Sequence, residues 1–159
     1  MDRILVIVDQ AILRLLAVLL ALVTLGIFVQ VVLRYAAGAS FLWGEELSVF
    51  AFVWCIFLGA VLNVRRRSNF AFEFFADLLP GRWSAVQRLI VDAIVLACCL
   101  VLLREGLAFS ELSIKRLSPA LGISLFVPTL AIPVASFLMI LAVLIHMARN
   151  AAILLGREG

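Results

Sequence analysis

The sequence predicts an all-α integral membrane protein. Four transmembrane helices are expected, with both termini cytoplasmic (N-in/C-in) and a short interfacial amphipathic helix between spans 2 and 3. Three observations carry this expectation. Of the 159 residues, 66% are hydrophobic, and the mean hydropathy is +1.24, whereas a soluble domain of this size is about half apolar. The apolar residues gather into four runs close to the ~20 residues that cross a bilayer. The basic residues flank those runs unequally, as the positive-inside rule expects. No soluble domain of useful size is left over, so residues 1–159 read as one membrane domain. A net charge of +3 could suggest nucleic acid, but the placement of the basic residues beside apolar spans excludes it.

In chain order, residues 1–14 read as a polar lead with Asp2, Arg3, Asp9 and Arg14. The first span covers about 15–33, interrupted only by Thr24, Gly26 and Gln30. Ala37-Gly38-Ala39 resembles a signal-cleavage site. The apolar run is longer than a signal core, however, and Arg34 and Tyr35 intervene, so a retained helix is expected. The link over 34–42 is so short that the first two spans must be antiparallel neighbours. That brings Arg34 to the membrane face of Glu45 and Glu46, where an exposed ion pair would contribute about 0–1 kcal/mol.

The second span, about 47–64, belongs to the stretch around which the chain is organised, Trp43 to Gly59. Trp43, Leu47, Phe50 and Trp54 are spaced 4, 3 and 4, so they share one helical face. Glu45 and Glu46 open the helix, where acids complement the positive end of its dipole. They read either as solvated acids at a helix start or as contacts to a partner helix or Arg34. Gly59 and Asn63, four apart, permit close helix approach. Arg65-Arg66-Arg67 then marks the cytoplasmic side. Residues 70–79 are amphipathic: Phe70, Phe74, Phe75, Leu78 and Leu79 on one side, Glu73 and Asp77 on the other. Too short to span, this segment reads as a helix lying on the membrane against phospholipid, with Trp83 as an interface anchor after Pro80-Gly81. A tilted lead-in to the third span is the alternative.

The third span lies within about 86–103 and contains Asp92. Intramembrane acids are functional candidates, but Arg88 is four residues away on the same face and can neutralise it. Residues 104–124 read as a polar connection broken by Pro119 and Gly122. The fourth span, about 125–145, carries Pro128 and Pro133, which kink membrane helices. With the N-terminus inside, Arg3, Arg14, Arg65, Arg66, Arg67, Arg82, Arg88, Arg149 and Arg157 face the cytoplasm. Arg34, Arg104, Lys115 and Arg116 face outward, which gives nine against four.

Catalytic chemistry is absent from this reading, and no cofactor or metal is expected. Cys55, Cys98 and Cys99 lie in apolar runs without metal spacing and behave as small hydrophobes. His146 is the only histidine, so two-histidine haem ligation within the chain is impossible. The spans lack the midplane polar site a self-sufficient transporter needs. An accessory membrane subunit that holds or orients a partner is the reading that remains. The alternatives are an anchor for a redox complex and a small homodimeric multidrug exporter. The single terminal histidine opposes the first, and the missing acid between Arg14 and Arg34 opposes the second.

The run from Val32 to Arg67 resembles the small membrane subunit (DctQ-type) of tripartite ATP-independent periplasmic (TRAP) transporters. The matching pieces are Val32-Leu33-Arg34-Tyr35, Trp43-Gly44-Glu45-Glu46-Leu47, Phe52-Val53-Trp54, Phe57-Leu58-Gly59-Ala60 and the arginine run. Elsewhere the likeness rests on length and hydropathy. Where the family often carries a histidine after the basic run, this chain has Asn69. The resemblance implies a static scaffold paired with a large, elevator-type membrane subunit that holds the substrate and sodium sites. It also implies a periplasmic binding protein that delivers an organic acid. On that reading Trp43, Glu45, Glu46, Phe50, Trp54 and Gly59 form the expected partner interface, Arg65, Arg66, Arg67, Phe74, Phe75 and Trp83 meet lipid, and Arg34, Arg88 and Asp92 form structural ion pairs.

Overall fold

The computed structural model describes residues 2–38, 42–66 and 82–154. Among them the chain is helical: α1 (Asp2–Ala37), α2 (Leu42–Arg66), α3 (Arg82–Ser113), the short α4 (Phe126–Thr129) and α5 (Ala131–Leu154). Four of these helical stretches are long and apolar enough to cross a membrane. The amphipathic segment expected at 70–79 lies outside the described residues, as do Arg67 and Asn69.

Two boundaries differ from the sequence expectation for the same physical reason. No separate polar lead precedes the first span, because α1 is already helical at Asp2 and runs 36 residues. Likewise α3 does not stop at Leu103 but continues through Ser113. Charges such as Asp9, Arg14, Arg104 and Glu105 end a membrane crossing, but they do not end a helix. At ~1.5 Å per residue α1 is about 54 Å long and α3 about 48 Å, well beyond the ~30 Å hydrocarbon core. Both therefore project from it or tilt. The fourth span is interrupted at Leu130, which keeps helical backbone angles, in the half that carries the prolines. Pro133 has no N–H to offer the Thr129 carbonyl and its ring crowds that position, and α4 gives way to α5 at Leu130.

The core lies between α2, α3 and α5. Val61, Cys99, Ala135, Met139 and Ile140 form its centre, with Phe57, Ala60, Val95, Leu96 and Leu103 packed around them. Helix α5 is the central element, with 39% of its span buried against 6–11% for the others. Its sequence explains this. Ala131, Ala135, Ser136 and Ala142 are all buried, and small residues let membrane helices approach closely. The buried Ser136 hydroxyl donates to its own helix at Ile132 O, 2.8 Å away, so it needs no outside partner. At the α3 crossing, Gly106 is the point of closest approach. A Cβ there would sit 2.7 Å from Ile132 Cγ2 and 3.3 Å from Pro133 Cδ.

Among the described residues helix α1 packs on α2 alone. Its least exposed residues with described side chains are Asp9, Ile12, Leu16, Leu19, Val23, Gly26, Gln30 and Leu33. They recur at 3-4 spacing, the seam of two helices lying side by side. On α2 the matching row is Gly44, Ser48, Ala51, Cys55, Leu58, Leu62 and Arg65. Gly44 is buried because Gln30 fills the space a side chain would take; an added Cβ would lie 2.7 Å from Gln30 Nε2. Gln30 Nε2 donates to Ser48 Oγ at 3.4 Å, and Ser48 Oγ donates to Gly44 O at 2.9 Å.

Candidate functional site

Polar contacts between elements collect at the two ends of the bundle. At one end Glu46 on α2 holds the connection between α3 and α4, reaching residues more than seventy positions away. The Ser118 hydroxyl donates to Glu46 Oε2. The Ala120 N–H donates to Oε1 at 3.1 Å and the Leu121 N–H to Oε2 at 3.1 Å. The turn it grips is tied within itself: Ser118 N–H to Ile123 O at 2.8 Å, Gly122 N–H to Ser118 O at 3.0 Å, and Leu125 N–H to Arg116 O at 2.9 Å. Gly122 closes this turn with a φ of +65°, a backbone region that glycine enters without steric cost. Ser124 Oγ lies 3.2 Å from Ser113 O and 3.0 Å from Ile114 O, so its hydroxyl satisfies a carbonyl at the α3 C-terminus, where the helix has no donors left. About two turns further along α2, Trp54 Nε1 donates to Val127 O at 3.3 Å. Helix α2 thus fixes the start of the interrupted fourth span at two heights.

At the other end Arg65 joins three helices. Its guanidinium lies 3.1 Å from Asp9 Oδ1 on α1, and its carbonyl is 3.2 Å from His146 Nε2 on α5. Only the imidazole can donate there, so His146 caps a C-terminal carbonyl of α2. Beside it, Asn150, buried on α5, donates from Nδ2 to Asp92 Oδ2 at 2.9 Å. Asp92 is therefore held across a helix interface, and Arg88 lies half-buried one turn before it.

The residues expected to form one partner-facing surface point in three directions. Trp43, with Leu47, lines a groove of about 580 Å³ between α1 and α2, opposite Leu22, Gly26 and Val29. Glu45 lines a second groove of about 510 Å³ on the other flank of the same seam, with Thr24, Arg34, Val49 and Phe52. Glu46 and Trp54 point inward to the 118–127 segment, while Phe50 is half-buried. Gly59 faces open space, with nothing within 4 Å of an added Cβ. It is not a packing point within this chain; Gly44 and Gly106 are. Among the described residues Arg34 forms no ion pair with Glu45 or Glu46, and the Glu46 carboxylate is engaged by the Ser118 turn. Arg66 is exposed, Trp83 lies in the first turn of α3, and Phe74 and Phe75 lie outside the described residues.

Sequence reasoning missed Ser118, Gly106 and Asn150. For Ser118 no local signal exists, since its partner is remote. Gly106 did carry one. Glycine inside a helix costs about 1 kcal/mol relative to alanine, so its presence there calls for a packing reason.

Residues 23–152 match the family described as "Tripartite ATP-independent periplasmic transporters, DctQ component". The chain belongs to the DctQ family of small TRAP transporter subunits. A TRAP transporter small permease protein of Haemophilus influenzae is 30% identical over 105 residues, 66% of this chain and 65% of that protein. The isethionate TRAP transporter permease protein DctMQ of Oleidesulfovibrio alaskensis is 30% identical over 127 residues, 79% of this chain but 20% of that protein. The C4-dicarboxylate TRAP transporter small permease protein DctQ of Vibrio cholerae is 30% identical over 89 residues, 56% of this chain and 38% of that protein. The chain thus spans less than two thirds of the length of each of these relatives. Members of the DctQ family are transporter subunits rather than enzymes, and the four apolar helices are those of a membrane protein.

Proposed function

We propose that this DctQ-family chain is the static scaffold subunit of a sodium-coupled secondary transporter in a bacterial inner membrane. It stands against a large, elevator-type membrane subunit, and a periplasmic binding protein delivers the substrate, an organic acid. The observation that carries the reading is the family match over 23–152. The DctMQ relative supports the pairing, because in it the region resembling this chain is one fifth of a longer permease. The substrates in the relatives' names, isethionate and C4-dicarboxylates, are both organic acids. The internal bonding of the spans supports a scaffold role. The hydroxyls of Thr24, Ser110 and Ser136 all donate to carbonyls of their own helices, and Gln30 and Ser48 bond each other. These groups are engaged within the fold rather than gathered around an ion.

The excess of basic residues at the Arg65 end supports placing that end, and both termini, in the cytoplasm. Arg66 and Arg67 and the 70–79 segment then lie against phospholipid headgroups, with Trp83 at the interface, while Arg65 is turned inward to Asp9. Trp43, Glu45, Phe50 and Gly59 meet the large subunit directly, while Glu46 and Trp54 act by fixing the 118–127 segment. Co-purification of the chain from its native membrane in mild detergent, with mass spectrometry of what accompanies it, tests this. A stoichiometric multi-spanning partner is the expected result. Recovery of the chain alone, under conditions that preserve other complexes, would overturn it.

A further inference from the structure

Helix α2 uses two of its faces within the chain. The Gly44–Leu62 row carries α1, and Phe57, Ala60, Val61 and Val64 join the core. The remaining face, Glu45, Val49, Phe52, Ile56 and Gly59, is spaced 4, 3, 4 and 3. Val49, Phe52 and Ile56 on it are 58%, 49% and 53% exposed. With Thr24, Ile27, Val31 and Arg34 of α1 its outer half walls the second groove. We propose that this groove, on the Arg34–Glu45 flank of the α1–α2 seam, seats a transmembrane helix of the large permease subunit. The inference rests on the small-subunit reading above and names the surface that reading leaves open.

Exposure alone does not select this flank, since lipid tails are as apolar as leucine. Its composition does. Gly59 costs helix stability and no described side chain takes up the space beside it, whereas an approaching helix could come close there. Arg34 and Glu45, of opposite charge, line the same groove, and among the described residues neither forms an ion pair. Water can satisfy them when the groove is open. A helix that closes the groove must bring polar groups of its own to that level, an acceptor for Arg34 and a donor for Glu45, because unpaired charges are costly once desolvated. Helix α1, held among the described residues by α2 alone, gains a further neighbour by the same step. The DctMQ relative supplies the occupant, since there the small and large parts share one chain.

Photo-crosslinking in membranes that also contain the large subunit tests this, with benzoylphenylalanine introduced in turn at Val49 and at Ile94. Ile94 is equally exposed, at 59%, but lies on α3. The wild-type chain should first co-purify with the large subunit; failure there removes the small-subunit reading itself. Given co-purification, adducts to the large subunit at Val49 and none at Ile94 are expected. Protein adducts only at Ile94, or only lipid adducts at Val49, would overturn the docking surface and leave the subunit reading intact. A second variant, Gly59→Leu, should lower recovery of the large subunit about tenfold with no fall in the thermal midpoint of the isolated chain, since leucine is the better helix former.

Discussion

Removing the Glu46 carboxylate should release the connection between α3 and α4 without unfolding the bundle. Glu46 accepts three bonds: from the Ser118 hydroxyl and from the Ala120 and Leu121 amides. Bonds to a charged group contribute about 1.5–3 kcal/mol each when well shielded. Ala120 is exposed and Leu121 half-buried, so water replaces part of what Glu46→Ala removes. Taking about 1 kcal/mol per bond gives a loss on the order of 2–3 kcal/mol. The loss is local, so hydrogen exchange reads it better than a melting curve. It corresponds to roughly 30- to 150-fold faster exchange of the amides the turn protects. Those are Ser118, Ala120, Leu121, Gly122 and Leu125, all donors in or onto this turn. Glu46→Gln retains one carbonyl oxygen and should fall between. It can keep Ser118 and Leu121 on that oxygen while its amide nitrogen faces the Ala120 N–H. Amides around Val61 and Met139 in the core should not change. Unaltered exchange at 118–125 in Glu46→Ala, or a uniform rise along the chain, would refute the clamp.

Two further predictions concern packing and the opposite end. Gly106→Ala places a methyl 2.7 Å from Ile132 Cγ2 and 3.3 Å from the Pro133 ring, which cannot swing away, so it should cost about 1–3 kcal/mol. Gly59→Ala, with open space around it, removes the cost of a glycine inside a helix and should stabilise the isolated chain by about 0.5–1 kcal/mol. Thermal unfolding of both variants in the same detergent checks the contrast, and equal midpoints would contradict it. Asn150→Ala removes a buried donor to Asp92 and should cost about 1–2 kcal/mol, seen as faster proteolysis between α3 and α5. Unchanged proteolysis would mean that this bond contributes nothing.

Four helices, their antiparallel order and the family were legible because each rests on a pattern the sequence shows directly: long apolar runs, short links, and the motifs from Val32 to Arg67. Helix length was not. Arg104 and Glu105 mark where a span leaves lipid, and only the structure reveals that the helix goes on to Ser113. The direction of each polar side chain was legible only in part. Glu45 and Glu46 are adjacent in sequence, so a helix turns them about 100° apart. One enters an open groove and the other an internal turn. No sequence feature names Ser118 as the partner of Glu46, because that contact depends on how α2 and α5 cross. The seam between α1 and α2 was hidden for another reason. Along the apolar stretch of α1, the 3-4 row that packs looks like every other row, and beyond Asp9 only Gly26 and Gln30 interrupt it.

The arrangement divides labour between helices in a way that suits a scaffold. Helix α5, lined with small residues, is the buried centre, and helix α2 is the strut. The strut's Arg65 ties α1 and α5 at one end and its Glu46 ties the α3–α4 connection at the other, with Trp54 fixing α4 between them. Among the described residues most of the inter-helix polar bonds given above therefore involve α2, the Trp54 bond at its middle and the Glu46 and Arg65 contacts toward its ends, with apolar packing between them. Sliding α2 against α5 by a single residue would break the Arg65–His146 and Trp54–Val127 bonds together, and with them the Glu46 grip on the turn before α4. A subunit built this way resists shear between its helices, which is the property a static support beside a moving partner requires.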